Sequence, residues 1–365
     1  MIDTIVLTLT KDMYRISEPD KFKPSARWAL QETTSSITGI QSKQNPLKRE
    51  LLQGIYKPRL TLAARMGPLG GVATYLKIEL SLPKLLFGNN FDELQLKDFP
   101  KLNAKLVVVL KDMGVITTPA QLAQTPVSKI HYSKNIILTD GSTPYYYISK
   151  IKEANVKMSL DVNETNYRND GHSYMWHCNS YEVVFYDKIK ELENAKKSPR
   201  KAIEQDNELQ LNLFDSLRTK KKFEVLRMEV RLNKRPKIKQ LLQSLGVNAV
   251  PSFRNLFKPA ISQKVLLHYL DELEKRRSPL LDYRFTTDKA LLTDLIFNNP
   301  ELSAKRILQI YGLTKTLQHM TPRELRMMLN CSSSSWSKLM NEANKVKLNT
   351  VENTFNIIRQ QLIKY

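Results

Sequence analysis

Four polar side chains in segments of alternating polarity could carry out chemistry together. Tyr186 lies near the end of residues 180–188, directly before a predicted helix, and Lys188 projects to the same side of an extended chain. His131 and Glu229 lie on the polar sides of two further segments. A phenol has a reference pKa of about 10, so it attacks phosphorus only with a cation or base close by. An imidazole with a carboxylate suits manganese or magnesium. These residue types predict metal-assisted attack of a tyrosine on a phosphodiester.

Each of these residues also has an ordinary structural interpretation. A lone strand histidine such as His131 is often only a hydrogen-bonded structural group. Tyr186 could be a half-buried strand tyrosine, and Glu229, between two arginines, could belong to an ion-pair ladder. Glu79, in a further segment, is a weaker third candidate for a metal ligand.

The segments that carry these residues predict four strands. Each alternates apolar and polar residues with period two, which is typical of a strand covered on one face. Helices predicted at 91–112, 118–124 and 187–197 would cover the apolar faces, so we expect an α+β fold: an antiparallel sheet with one open polar face and helices on the other. The predicted inner sets are Leu76, Ile78, Leu80, Leu82; Ile130, Tyr132, Ile136, Leu138; Tyr181, Val183, Phe185; and Leu226, Met228, Val230, Leu232.

Polar stretches between the strands predict loops, at 34–48, 67–71, 196–201 and 218–222. The last two are rich in lysine and arginine and would meet backbone phosphates if they lie near the sheet, or be solvated charge runs if they do not. The residues expected to contact DNA are Lys129, Arg227, Arg231, Lys220, Lys221, Lys222 and Arg235.

Charge is the strongest compositional signal. The 365 residues include 57 Lys and Arg against 36 Asp and Glu, for a formal net charge of +21. Such an excess favours a polyanionic partner, and the fifteen tyrosines could stack on bases. A ribosome-like or merely soluble basic surface is the alternative.

The chain after about residue 240 predicts helices rather than strands. We therefore expect a catalytic domain over residues 1–240 and a helical domain over 241–365. Helices are predicted at 261–277, 288–298, 303–311, 321–329 and 334–345. The pair 322–330 and 334–346 has the size of a helix-turn-helix that binds DNA, or of a plain helical hairpin.

Several classes of protein are excluded or disfavoured. The sequence has no Walker loop, GxGxxG, HExxH or nucleophile elbow, which disfavours nucleotide hydrolysis, dehydrogenation and zinc proteolysis. It has no CxxC pair, and its only cysteines, Cys178 and Cys331, lie far apart, which disfavours a disulfide framework and a structural zinc site. No apolar run reaches the length of a membrane span and the first residues lack the features of a signal peptide, so we expect no membrane partner and a cytoplasmic location.

Five motifs and the first three residues occur in the order seen in the filamentous-phage gene II/X replication initiators. The chain resembles that family, and its rolling-circle plasmid relatives, over roughly residues 1–240. The motifs are Lys77-Ile78-Glu79-Leu80-Ser81-Leu82-Pro83-Lys84, Leu86-Phe87-Gly88-Asn89-Asn90, Val127-Ser128-Lys129-Ile130-His131, Phe185-Tyr186-Asp187-Lys188 and Leu226-Arg227-Met228-Glu229-Val230-Arg231, after Met1-Ile2-Asp3.

This resemblance implies a Rep-type nicking and joining enzyme. Such an enzyme cuts one strand at an origin, stays on the 5′ phosphate through tyrosine and leaves a 3′ hydroxyl. By position, Tyr186 matches the nucleophile, Lys188 its neighbouring lysine and Glu229 the acidic residue of the late strand. His131 departs from the family, which more often has aspartate there, and the paired histidines of HUH endonucleases are missing.

The sequence leaves other site residues and functions open. His172 and His177, in a predicted polar loop before the strand of Tyr186, could supply a further ligand, and the tyrosines at 145–147 are rival nucleophiles or a packing cluster. The predicted partners are single-stranded or supercoiled origin DNA, a host helicase and a polymerase, with Mg or Mn as cofactor. The alternatives are a non-enzymatic DNA-binding accessory or regulatory protein, and a transposase or conjugative relaxase with the same chemistry.

Overall fold

A large β-sheet lies at the centre of the protein in this computed structural model. The structure describes residues 1–24, 41–46, 50, 55–66, 72–138, 142–153, 164–168, 171–191, 224–275, 287–320, 322–348 and 355–364. Within these residues, no helix combines the length and apolar composition that crossing a lipid bilayer requires.

In the part of the chain that the structure describes, ten strands form one antiparallel sheet. Their order across the sheet is β3-β4-β5-β6-β1-β8-β12-β11-β10-β9, and β2 pairs with β7 in a separate two-stranded ribbon. The strands are β1 (Ile2–Thr10), β2 (Arg15–Ile16), β3 (Lys23–Pro24), β4 (Gln41–Gln44), β5 (Arg59–Met66), β6 (Val72–Ser81), β7 (Val115–Ile116), β8 (Val127–Leu138), β9 (Glu164–Arg168), β10 (Ser173–His177), β11 (Tyr181–Asp187) and β12 (Glu224–Leu232).

The helices pack against this sheet or follow it in sequence. Short 3₁₀ turns occur at Lys11–Met13, Pro19–Lys21 and Leu96–Asp98. The α-helices are α1 (Leu82–Phe87), α2 (Phe99–Asp112), α3 (Pro119–Gln124), α4 (Pro144–Glu153), α5 (Arg235–Ser244), α6 (Phe253–Leu256), α7 (Pro259–Glu274), α8 (Asp288–Asn298), α9 (Ala304–Leu317), α10 (Pro322–Met328), α11 (Ser333–Ala343) and α12 (Asn356–Ile363).

The four predicted strands are confirmed as β6, β8, β11 and β12, and all their predicted inner side chains are buried. Their alternation is the physical reason, because period two places every second side chain on the core face. The core lies between that face and helices such as α2 and α7, whose buried residues belong to the same hydrophobic cluster.

The opposite, polar face is less open than the sequence predicts. His131, Ser133, Arg227 and Glu229 lie on this face and are all buried, with 8%, 4%, 2% and 2% of their surface exposed. Arg227 donates a hydrogen bond to Ser133, and His131 lies against Glu229. The chain after α1 also contributes: Gly88 takes a left-handed conformation (φ 78°) that ends the helix, and the carbonyl of Asn90 then accepts a hydrogen bond from Arg227. The centre of the polar face is therefore an internal polar cluster.

Among the described residues, buried apolar side chains form two clusters. The larger includes the sheet, α2, α5 to α7 and α12, whereas the smaller consists of residues from α8 to α11 and the segment up to residue 348. The chain thus passes from the larger cluster to the smaller near residue 287, and α12 belongs to the larger cluster again. The predicted boundary at 240 instead falls within α5, which packs on the sheet core.

Several elements differ from the sequence expectations. β1 was not predicted, because Ile5, Val6 and Leu7 bury both of its faces and hide the alternation. The predicted loop at 34–48 contains β4. The stretch of His172 and His177, predicted as a polar loop, contains β10. The predicted helix at 91–112 begins only at Phe99, while that at 118–124 is confirmed as α3 with a Thr118 cap. The loops at 67–71, 196–201 and 218–222 lie outside the described residues.

Candidate active site

Four neighbouring strands each contribute one residue to a polar cluster on the same face of the sheet. Asp3 comes from β1, His131 from β8, Glu229 from β12 and Tyr186 from β11, and these strands are consecutive in the sheet. The register explains the meeting, since Arg231 pairs with His131 and Tyr186 pairs with Arg227. Directly opposed residues of antiparallel strands share a face.

Asp3, His131 and Glu229 converge closely enough to hold a cation. One ligand atom from each lies within 4.8 Å of the other two, and all three residues are buried. His131 Nδ1 lies 3.2 Å from Glu229 Oε1. His131 Nε2 is buried and has no hydrogen-bond partner among the described residues. A buried polar atom of this kind costs free energy unless something binds it, so it points to a missing ligand.

Tyr186 approaches this cluster through its hydroxyl. The phenol donates a hydrogen bond of 3.4 Å to Glu229 Oε2, and the side chain is only half-buried. Removal from water raises the pKa of Tyr186 well above its usual 10, although the charge of Arg227 acts in the opposite direction. The phenol therefore carries its proton at neutral pH, and it must lose that proton during any attack.

Lys188 lies behind the tyrosine. Its side chain is fully buried and donates a 2.6 Å hydrogen bond to Glu191, and its Nζ lies 5.7 Å from the centre of the Tyr186 ring. Burial lowers the pKa of Lys188, while the Glu191 carboxylate opposes that change. The ammonium therefore acts on the ring from inside the protein, and at this depth it has no direct access to DNA.

Arg231 is bound to the same carboxylate from the solvent side. Its Nε donates to Glu229 Oε1 at 3.0 Å and its terminal nitrogen donates to Glu182 at 3.1 Å, with 31% of the side chain exposed. Burial alone would raise the pKa of Glu229, but Arg231 and the hydrogen bond to His131 hold that pKa well below its usual value. Glu229 is therefore ionised at neutral pH.

Arg227 does not contact solvent, contrary to its predicted role in DNA binding. Its guanidinium donates to the carbonyl of Asn90 at 2.9 Å, to Asn135 Oδ1 at 3.0 Å and to Ser133 Oγ at 2.9 Å, and it lies 3.1 Å from Asp3 Oδ1. Burial on the covered part of the face explains the difference. Inside the protein, its guanidinium pairs with the carboxylate of Asp3.

The other predicted site residues lie farther away. Glu79 is on β6, opposite Val6 of β1, and is not one of the three residues that converge. Lys129 lies on β8 opposite Val6, and Arg235 begins α5 at the surface. The run Lys220, Lys221 and Lys222 lies outside the described residues.

The rival nucleophiles and ligands have structural partners. Tyr145, Tyr146 and Tyr147 lie on α4, where Tyr147 is buried in the core and contacts Tyr146 edge to face. His172 lies 3.3 Å from Asp187, and His177 pairs with Glu182 across β10 and β11. None of these five belongs to the converging set of the described residues.

Asp3 is a site residue that the sequence did not predict. Its signal was a single carboxylate at the start of the apolar run Ile2–Leu9. That run alternates poorly, so nothing in it predicted a strand next to β8.

Comparison with known proteins adds no identification, because no family model, no curated protein and no solved structure matches the chain.

The chemistry of the donors fits a hard or borderline divalent cation. Two carboxylates and an imidazole suit Mn²⁺, and Mg²⁺ to a lesser degree. Both carboxylates already face a guanidinium, Asp3 that of Arg227 and Glu229 that of Arg231. The cluster therefore has little excess negative charge, and a bound cation would gain from an additional anion such as a phosphate.

Proposed function

We propose that this protein nicks and rejoins one DNA strand through a covalent 5′-phosphotyrosine, as a rolling-circle replication initiator does. One observation carries the proposal: the Tyr186 hydroxyl donates to Glu229, which converges with Asp3 and with a buried histidine whose Nε2 lacks a partner among the described residues. Nucleophile and ligand set thus share one carboxylate. The resemblance to the gene II/X initiators supports the same chemistry.

In the proposed reaction Tyr186 attacks the scissile phosphorus. A bond forms between the phenolic oxygen and phosphorus while the bond to the 3′ oxygen breaks. Glu229 accepts the phenol's hydrogen bond and so orients it, but the low pKa of this carboxylate means that it does not keep the proton. The proton ends on the departing 3′ oxygen. The tyrosyl ester conserves the phosphodiester energy, so rejoining needs no ATP.

Asp3, His131 and Glu229 are the residues that would hold the divalent cation, Mg or Mn. When bound, it supplies polarisation of the phosphate and stabilisation of the leaving oxygen. The exposed end of Arg231 adds positive charge on the solvent side, and buried Lys188 adds it beneath the ring. Fixed charges of this kind stabilise the charge that develops on the phosphate.

The proposed substrate is single-stranded or extruded origin DNA. An extended strand lying across the sheet could present its phosphate to the half-buried tyrosine, whereas a paired duplex is bulkier. The Rep-like topology and a bacterial host with its helicase and polymerase belong to the same proposal. The net charge of +21 provides the general attraction to phosphates.

That charge also favours a second candidate, a DNA-binding accessory or regulatory protein without catalysis. Here the ion pairs of Glu229 with Arg231 and of Asp3 with Arg227 would be structural. The two candidates differ in whether a covalent bond to DNA forms.

The test is adduct formation. The full chain is incubated with Mn²⁺ and a supercoiled plasmid carrying the chain's own origin, and denaturing gels are examined for protein linked to DNA. We expect an adduct in the wild type and in Tyr145→Phe, a matched change at an exposed tyrosine, but none in Tyr186→Phe. An adduct that persists in Tyr186→Phe refutes the nucleophile. A wild type that binds but never links favours the second candidate.

A further inference from the structure

The helices α10 and α11 form a tight pair at the surface. Only residues 329–332 separate them. Asn330 has a left-handed conformation (φ 48°), and the N–H of Cys331 bonds back to the carbonyl of Arg326 at 3.4 Å, which ends α10. Ser332 then caps α11 by accepting from the N–H of Ser335 at 3.2 Å. Two capped helices joined by so short a turn have the dimensions of a helix-turn-helix.

The buried face of this pair fixes its orientation. Leu325 of α10 and Trp336, Met340 and Ala343 of α11 are buried in the smaller hydrophobic cluster, with residues of α8 and α9. The α11 residues recur at intervals of four and three, which is one face of a helix. The opposite face of α11 therefore points to solvent, and the packing of the buried face fixes that orientation.

That solvent face has a composition suited to nucleic acid. Ser334, Lys338, Asn341 and Lys345, spaced by four, three and four residues, are all exposed, and Lys345 lies just beyond the end of α11. This stripe contains no acidic residue. Glu342, the acidic residue of α11, is paired with Arg306 of α9 and so leaves the stripe positive.

We propose that α10 and α11 bind duplex DNA, with α11 in the major groove. Lysine, serine and asparagine are residues that contact phosphates and base edges. In helix-turn-helix proteins the first residues of the second helix contact the bases, and here these include Ser334 and Lys338. The charge of the stripe complements the phosphates on either side of the groove.

This inference goes beyond the proposed function, because it assigns a second site that binds paired DNA. The tyrosine site is on the sheet, whose buried apolar residues belong to the larger hydrophobic cluster, whereas those of α11 belong to the smaller. Binding of a duplex flank by α11 would hold the chain beside the strand to be cut.

The experiment measures binding of the full chain to a fluorescent duplex of about three helical turns with a randomised centre. The test variant is the double change Lys338→Ala and Lys345→Ala. The matched control is Lys101→Ala and Lys105→Ala, which removes two exposed lysines from α2. Thermal unfolding of each variant verifies the fold. A second assay follows adduct formation on a single-stranded origin oligonucleotide.

We expect the test variant to lose roughly tenfold or more in duplex affinity, with a salt slope smaller by about 2, while the control stays near wild type. Adduct formation on the single strand should be unchanged, so failure of this proposal and failure of the tyrosine chemistry are distinguishable. Equal duplex affinity of the test variant and the wild type would overturn the proposal. So would an equal loss in the α2 control, which would indicate non-specific attraction.

Discussion

The hydroxyl of Tyr186 and the carboxylate of Glu229 are joined across two strands by a 3.4 Å hydrogen bond. In the register of β11 and β12, Tyr186 pairs with Arg227 and Glu229 pairs with Val184, so the two residues are diagonal neighbours on one face. Diagonal neighbours are farther apart than directly opposed residues, but a side chain as long as that of tyrosine spans the distance. A shift of one residue in β11 would turn the phenol into the core, and the same shift in β12 would turn the carboxylate of Glu229 there.

The first prediction concerns the identity of the carboxylate ligands. Asp3→Asn removes one charged ligand without changing volume, so we expect Mn²⁺ affinity to fall at least about tenfold. Glu79→Gln should leave it unchanged, because Glu79 lies outside the converging set. Calorimetric titration of the full chain with MnCl₂ measures both. Equal losses in the two variants would contradict the assignment of Asp3.

The sequence predicted the strands that alternate and missed the one that does not. In β8, β11 and β12 one face is polar, so period two identified the strands and put His131, Tyr186 and Glu229 on the correct faces. β1 is buried on both sides between β6 and β8, so its pattern resembles any short apolar run and Asp3 was overlooked.

Whether the polar side chains of the sheet are buried could not be predicted from the sequence either. Alternation tells which face a side chain takes, but whether that face is covered depends on chain that is distant in sequence. The carbonyl of Asn90 lies against Arg227, which is 137 residues later, and this contact turns an expected DNA ligand into a buried residue. The first residues of helices after residue 258 were easier to predict, because N-caps such as Thr287 and Ser303 are local signals.

The second prediction tests the buried role of Arg227. Arg227→Met leaves Asp3 and the Asn90 carbonyl without their partner, and breaking a buried ion pair costs about 3–5 kcal/mol. Arg235→Met, at the exposed start of α5, should change the free energy of unfolding by less than about 0.5 kcal/mol. Urea unfolding gives both values. A loss of DNA affinity without a loss of stability in Arg227→Met would restore the surface role.

The third prediction concerns acid stability. The pKa of Glu229 lies well below 4.5 in the folded protein, so its stabilising effect is fully present above about pH 4.5 and is lost as pH falls through the folded pKa. Glu229→Gln lacks this effect. The difference in unfolding free energy between wild type and variant should therefore be large near pH 6 and shrink near pH 3. A difference that does not depend on pH would show that the ionised carboxylate is not what stabilises the fold.

The fourth prediction separates stability from reaction at Lys188. Its pKa is lowered by burial, so the unfolded chain binds more protons between the folded pKa and 10.5, and stability rises with pH across that interval. Lys188→Met removes this slope and the cost of burying an ammonium, and the side chain of the remaining Glu191 is 34% exposed to water, so stability at neutral pH should be equal or higher. The variant also removes the charge 5.7 Å from the Tyr186 ring, which would stabilise the phenolate as its proton leaves.

We therefore expect adduct formation by Lys188→Met to slow by about tenfold or more, equivalent to about 1.4 kcal/mol in the barrier. Lys190→Met, at an exposed position two residues later, should change neither quantity. Single-turnover assays with a single-stranded origin oligonucleotide measure the rate, and thermal unfolding between neutral and alkaline pH measures the slope. A slow variant that is also unstable would mean that Lys188 acts through the fold, because its ammonium would then be needed to hold Glu191 and the strand end in place.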